Sequence, residues 1–309
     1  MANCLVLGAD GFIGSHLVDS LVACGHKVRA FSRFKGGESF NLEHLRGEVD
    51  FVAGDFLNHS DLEGVLSDIE YVFHMVSLST PASTMKDPRF DVEANVCGTM
   101  DLLELCVKHR VKKVVFPSSG GTVYGNVDSE LIAEDAMTDP VCPYGISKLM
   151  IEKYLRYFSD LYGLDYLIFR ISNPYGERQR LVGNQGVIPI FLNLVKNNDP
   201  ITVFGDGSMV RDYIYVKDVV DFMTRVFELD TRERIYNLGS GVGTTINDLI
   251  AVIGRIISRD VDVEFTELRT SDIQRSVLDI SRVREEFGFS PLVDIDSGIC
   301  RTWEYVAKK

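Results

Sequence analysis

Tyr144 and Lys148 stand four residues apart in the run Pro143-Tyr144-Gly145-Ile146-Ser147-Lys148. On a helix, that spacing puts both side chains on one face. A free phenol ionises near about pH 10 and is a poor base at neutral pH. A neighbouring ammonium favours the phenolate and lowers that value, which makes the pair a usable acid and base. Such a pair suits proton transfer at an alcohol or ketone carbon. Upstream, Phe116-Pro117-Ser118-Ser119-Gly120-Gly121-Thr122-Val123-Tyr124-Gly125 offers hydroxyls at an expected strand end. Strand C-terminal ends line the sites of parallel sheets, so a hydroxyl there can hold a reacting oxygen.

Redox chemistry at carbon needs a hydride carrier. The run Gly8-Ala9-Asp10-Gly11-Phe12-Ile13-Gly14 is a place to lay a dinucleotide. Gly8 permits a tight turn, Gly11 lets backbone approach a pyrophosphate, and Gly14 lets the helix lie close to the strand. The helix start at Phe12 and Ile13 supplies free N–H groups and a partial positive charge. A carboxylate that would hold the ribose of NAD belongs at the end of the second strand. Here the chain reads Phe31-Ser32-Arg33. Arg33 could pair with the extra phosphate of NADP, or stack on adenine while Ser32 bonds the ribose. Asp55, beside Phe56, could accept from the adenine amino group or cap its own loop. NAD is the expected cofactor, with NADP open.

These residues need elements to hold them. Strands are expected at Cys4-Leu7, Lys27-Ser32, Val49-Ala53, Tyr71-Val76, Lys112-Pro117 and Tyr166-Ile171, with helices between them. The helices include Phe12-Ala23, Asp91-His109 and Pro143-Leu161. Alternating strand and helix predicts a doubly wound, Rossmann-type parallel sheet covered on both faces. The second half is less regular and reads as a smaller α/β substrate lobe. It has helices at Gly186-Lys196 and Val216-Leu229, a strand at Arg234-Leu238, and a helix Ile246-Ile257 capped by Thr244-Thr245. The expected division is 1–172 with 212–245 for the dinucleotide domain, and 173–211 with 246–309 for the substrate lobe. Gly239-Ser240-Gly241-Val242-Gly243 reads as a turn.

The chain has 309 residues and a formal net charge of −13, which argues against nucleic acid as a partner. Local arginines can still bind an anionic small molecule. No apolar run is long enough to span a membrane, and no signal peptide is visible, so a cytoplasmic enzyme is expected. The six cysteines show no zinc spacing, so they read as reduced thiols and no metal is expected.

Beyond these readings, the chain resembles the extended short-chain dehydrogenase/reductases. Within them it is similar to the UDP-glucose 4-epimerase group of the NAD-dependent epimerase/dehydratase family. The resemblance runs nearly end to end. It rests on Gly8, Gly11 and Gly14, Asp55, Asn95-Val96-Cys97-Gly98-Thr99, the Ser-Ser…Val-Tyr-Gly run, and Tyr144 with Lys148. Further along it rests on Asn173-Pro174-Tyr175-Gly176, Val210-Arg211-Asp212-Tyr213-Ile214 and Arg269-Thr270-Ser271-Asp272. The resemblance implies that Asn173 and Arg211 hold a diphosphate, that Arg269 and Asp272 reach phosphate and ribose, and that Asn95 and Ser118 support the cofactor side. It also implies that Ser276 borders the sugar 2-position, where a small residue leaves room for an N-acetyl group.

This chain carries one residue more than the epimerase pattern between its serines and Val123-Tyr124-Gly125. Ser119 is the first choice for the sugar hydroxyl contact, with Ser118 and Thr122 behind it. Related 4,6-dehydratases place an Asp-Glu pair where this chain has Gly120-Gly121, which disfavours dehydration. The expected reaction is 4-epimerisation of a UDP-hexose through a 4-keto sugar. The runner-up is an NADP-dependent 4-ketoreductase, and a non-catalytic dinucleotide sensor lies further behind. A homodimer is expected through the helices 91–109 and 144–161. Leu102, Leu103, Leu105, Leu149, Ile151 and Tyr154 could serve that face or the core.

Overall fold

The computed structural model describes residues 1–34, 39, 41–181, 186–267 and 273–309. The chain opens β1 (Asn3–Leu7), α1 (Phe12–Ala23), β2 (Lys27–Ser32) and β3 (Asp50–Ala53). It continues with α2 (His59–Gly64), β4 (Tyr71–His74) and two short helices, α3 (Pro81–Thr84) and α4 (Pro88–Asp91). A π-helical turn, Val92–Cys97, leads into α5 (Gly98–Lys108), followed by β5 (Lys113–Ser119), α6 (Pro143–Tyr162) and β6 (Asp165–Ile171).

One seven-stranded sheet has the order β3-β2-β1-β4-β5-β6 with β10 (Ile235–Leu238) beside β6. The first six strands follow the doubly wound order, whose switch point lies between β1 and β4. The β1–β2, β1–β4, β2–β3 and β4–β5 pairings are parallel. Cys4 to Leu7 and Lys113 to Ser118 are buried without interruption. Strands covered on both faces need such apolar runs.

Two compact units divide the chain. The first comprises Met1–Ser118, Cys142–Phe169 and Val220–Ile235. Its core joins Leu5, Leu7 and Phe31 to Leu102, Phe116, Ile151 and Leu155. The longest helix, α6, starts with Pro143 at its first turn and ends at Gly163, whose φ of 72° closes it. Proline tolerates a first turn because no N–H is needed there, and glycine takes the left-handed C-cap without strain. Leu102, Leu103, Leu105 and Ile151 are buried in this core, and Tyr154 packs against it. They therefore do not form an open face. The apolar side chains that α6 does expose are Ile146, Tyr157, Leu161 and Tyr162.

The second unit comprises Ser119–Val141, Arg170–Val219 and Tyr236–Lys309. Segment 119–141 belongs here because Ile132 bridges to Leu278. Asn173–Tyr175 (β7) and Val210–Tyr215 (β9) pair in parallel. Gly243–Thr245 (β11) and Arg275–Ser276 (β13) flank β9. The strands Ile201–Phe204 (β8) and Val263–Thr266 (β12) form a separate ribbon. The unit's helices are Val187–Asn197 (α7), Ile246–Ile257 (α9), Ser281–Phe287 (α10) and Ile295–Ala307 (α11). Val216–Val226 (α8) carries the chain across the unit boundary. Among the described residues no helix is long and apolar enough to cross a membrane.

Candidate active site

In the first unit, α6 presents Tyr144, Ser147 and Lys148 to a small pocket that also touches Ser77, Asp91 and Asn95. Lys148 is only 7% exposed. Its ammonium donates to the Pro117 carbonyl at 2.9 Å and sits 4.5 Å from the centre of the Phe116 ring. Burial pushes Lys148 down to about 8, and the charges of Asp91 and Glu152 resist that fall.

The Tyr144 phenol behaves differently from the sequence expectation. Burial pushes it up to about 12, with Ser77 acting against the rise. Lys148 Nζ lies 5.7 Å from the Tyr144 ring centre and points its proton at Pro117. Desolvation of a nascent phenolate drives the rise. The phenol thus lies buried beside Ser77, with the ammonium near its ring.

The π-helical turn explains how Asn95 reaches this pocket. A π-turn is a rare single-turn bulge that recurs at functional sites. Thr99 donates to the Asn95 carbonyl at 2.5 Å. The same hydroxyl is 2.8 Å from His74 Nε2. With its own proton committed, Thr99 must accept from His74, which fixes the Nε2–H tautomer. His74 stacks on Phe56 at 5.1 Å, and burial pushes it down to about 3. Phe56, expected beside the cofactor, has its side chain buried in the core.

Asn95 accepts from the Leu78 N–H at 2.9 Å and donates to Ser79 and Asp91, each at 2.9 Å. Ser118 was expected on the cofactor side. Its hydroxyl donates to the buried Glu152 and is a structural anchor between β5 and α6. Sequence reasoning missed Glu152, although it stands four residues beyond Lys148 on the same helical stripe. Asp91, Ser147, Ser79 and His74 were missed as well, and nothing in their spacing marks them.

The glycine turn fits a dinucleotide. Gly8 has φ +77°, and a Cβ on Gly14 would collide with the Gly8 carbonyl oxygen. A Cβ on Gly11 would meet that oxygen at 3.1 Å. No side chain caps α1 at Gly11, so the N–H groups of Phe12, Ile13 and Gly14 are the open ones an anion needs. Asp10 accepts from Ser39 Oγ at 2.6 Å and Asn41 N–H at 3.1 Å, tying the turn to the chain after β2. Ser32 ends β2 half-buried and Arg33 is exposed beyond it. Asp55 accepts from the Leu57 N–H at 3.0 Å, the loop-capping role.

The second unit gathers its own candidates. Arg211 of β9 is the register partner of Ser276 in β13. Asn173 of β7 is the partner of Tyr213 and donates to the Asp212 carbonyl at 2.8 Å. Ser276 is 4% exposed, a buried strand residue and not a surface one. A Cβ on Gly121 would lie 3.9 Å from Asn173 Oδ1, whereas one on Gly120 would meet Leu278 at 2.6 Å. Ser119 closes β5 half-buried, and the Thr122 hydroxyl is buried without a partner. Asp212 is fully buried and accepts from Ser240, Gly241 and Leu278. It folds the Gly239–Gly241 segment as a turn. Arg269 and Asp272 lie outside the described residues. Among the described residues no cluster of His, Cys, Asp or Glu could hold a metal, and the six cysteines are unpaired.

The model of the NAD dependent epimerase/dehydratase family matches residues 4–239. The chain belongs to that family. A UDP-glucose 4-epimerase of Mycolicibacterium smegmatis is 37% identical over 309 residues, covering 99% of this chain and 98% of that one. The UDP-glucose 4-epimerase of Thermotoga maritima, solved with UDP-glucose, superposes with a TM-score of 0.93 at 36% identity over 99% of both chains. The dTDP-4-dehydro-6-deoxyglucose reductase of Escherichia coli is 35% identical over 305 residues, 96% of this chain and 94% of that one. The glycine turn, Tyr144 and Lys148 all fall inside the matched family region.

Proposed function

We propose that this chain is an NAD-dependent nucleotide-sugar 4-epimerase acting on a UDP-hexose. The observation that carries this reading is Tyr144 and Lys148 side by side on α6, in a chain whose glycine turn fits a dinucleotide. Full-length likeness to UDP-glucose 4-epimerases supports the sugar and the reaction.

Gly8, Gly11 and Gly14 with the start of α1 would hold the NAD pyrophosphate. Bound NAD supplies a two-way hydride store. Tyr144 moves the proton of the sugar 4-hydroxyl, giving it up when the 4-keto sugar is reduced and taking it when the alcohol is oxidised. Lys148 supplies positive charge beside the phenol. Ser119 is assigned to the sugar hydroxyl, because Ser118 is committed to Glu152 and the Thr122 hydroxyl is buried. Asn173 and Arg211 are assigned to the diphosphate, and Ser276 to the edge of the sugar 2-position. Arg269 and Asp272 keep their assignment to phosphate and ribose from sequence alone.

Incubation with UDP-glucose or UDP-N-acetylglucosamine, without added cofactor, should produce the galacto isomer by NMR. Stoichiometric NADPH oxidation with a 4-keto nucleotide sugar, and no isomerisation of either UDP-hexose, would instead establish the ketoreductase. Two observations favour that second reading: the exposed Arg33 where a ribose carboxylate is absent, and the reductase relative. Near-normal turnover in Tyr144→Phe would overturn both.

A homodimer and a cytoplasmic location complete the proposal. Ile146, Tyr157 and Leu161 form an exposed apolar stripe on α6 at helical spacing. Light scattering should give twice the 34.6 kDa chain mass. A monomer would refute the dimer. Six unpaired cysteines suit a reducing compartment.

A further inference from the structure

Asp91 is 1% exposed, the last residue of α4, at the point where the π-turn begins. Its Oδ2 accepts from Ser147 Oγ at 2.5 Å. Its Oδ1 accepts from Ser79 Oγ and from Asn95 Nδ2, the latter at 2.9 Å. Three donors from three segments therefore meet on one buried carboxylate. Ser147 lies between Tyr144 and Lys148 on α6. Ser79 carries the loop in which Ser77, hydrogen-bonded to the Ser79 carbonyl at 2.9 Å, faces the Tyr144 phenol. Asn95 is the pocket residue of the π-turn.

We propose that Asp91 is a positioning residue of the reaction centre: it clamps α6, the Ser77–Ser79 loop and the π-turn together, and its charge holds Lys148 as an ammonium. This rests on the reading of Tyr144 and Lys148 as the reacting pair. The groups that face Lys148 are Tyr144 and Glu152 from α6, Asp91 from α4, the neutral His74 from β4 and the Pro117 carbonyl from β5. Burial works against the ammonium and only the two carboxylates work for it. Losing one of them should let Lys148 shed its proton at lower pH. Clamp and charge can be separated, because Ser147 supplies only the clamp.

The test compares pH profiles of kcat and KM for the full-length enzyme, Asp91→Asn, Ser147→Ala and Tyr144→Phe. Asparagine keeps the shape, and the Ser147 hydroxyl can turn to accept from its amide. Asp91→Asn should move the alkaline limb of kcat to lower pH by about one unit, the size of effect that a nearby opposite charge has. Ser147→Ala should lower kcat about fivefold with KM and the limb in place, the loss expected of one hydrogen bond. An unmoved limb in a folded Asp91→Asn overturns the proposal. If Asp91→Asn does not fold by circular dichroism, Ser147→Ala decides, and unchanged kcat overturns it. An active Tyr144→Phe sinks the underlying reading. An inactive Tyr144→Phe with an unmoved Asp91→Asn limb sinks the role of Asp91 alone.

Discussion

Lys148 gives its short hydrogen bond to the carbonyl of Pro117, 2.9 Å away, and not to the phenol of Tyr144. The lysine thereby ties the end of β5 to α6 and serves the tyrosine as a charge, without a direct bond. Its proton is held loosely, because burial brings its pKa down to about 8.

Activity should consequently fall as pH rises through about 8, where Lys148 loses its charge. Lys148→Arg, which stays charged at all working pH, should abolish that alkaline limb even if kcat drops. A limb that persists in Lys148→Arg would assign it to another group. The pH profile of kcat with saturating nucleotide sugar makes the measurement.

His74 should make the fold acid-sensitive. Burial pushes it down to about 3, whereas an unfolded histidine titrates at its ordinary value of 6.5. As pH falls below 6.5, the unfolded chain takes up a proton that the folded chain refuses, so folding loses stability until pH reaches the folded value. Full stability from this residue is present above 6.5. Urea midpoints between pH 7 and 5 should drop less in His74→Gln than in the parent. Equal slopes would remove His74 as the cause.

Gly14→Ala should damage folding and dinucleotide binding together. The new Cβ collides with the Gly8 carbonyl oxygen, which is backbone and cannot swing away. Overpacking of this kind costs about 1–3 kcal/mol. A lowered Tm with loss of co-purifying NAD absorbance is the expected pair of results. An unchanged Tm would show that the turn can open.

Ser276→Tyr should discriminate against an N-acetyl group. Ser276 is buried in β13 beside Arg211, so added bulk there cannot escape to solvent. The ratio of kcat/KM for UDP-glucose over UDP-N-acetylglucosamine should rise by at least about tenfold, a loss of roughly 1.4 kcal/mol for the larger sugar. An unchanged ratio would place the sugar elsewhere.

Much of the first unit was legible because local signals dominated it. Phe12–Ala23 and Lys27–Ser32 fall where periodicity put them. The helix after Pro143 runs one residue past its expected end. The second unit was harder. Val210–Ile214 was recognised as a motif, but the strand Val210–Tyr215 was not, since its pairing with β7, β11 and β13 comes from residues far away in sequence. Asp91 and His74 were invisible for a related reason. Their importance lies in partners contributed by other elements, and sequence spacing does not carry that information. For Tyr144 the neighbour Lys148 was visible in the sequence and the burial of the phenol was not.

The π-turn between α4 and α5 has one more consequence. A regular helix advances about 100° per residue, so the wider turn at Val92–Cys97 sets the two flanking helices out of phase. Asp91 and Asn95 look into the pocket, while Leu102 and Leu103 are buried in the core. No unbroken helical wheel serves both. Removing one residue from this stretch would restore a regular helix and force a choice between reaction chemistry and packing. The length of this stretch is therefore locked, and loss of a single codon there should be more harmful than exchange of its exposed residues Glu93 and Cys97.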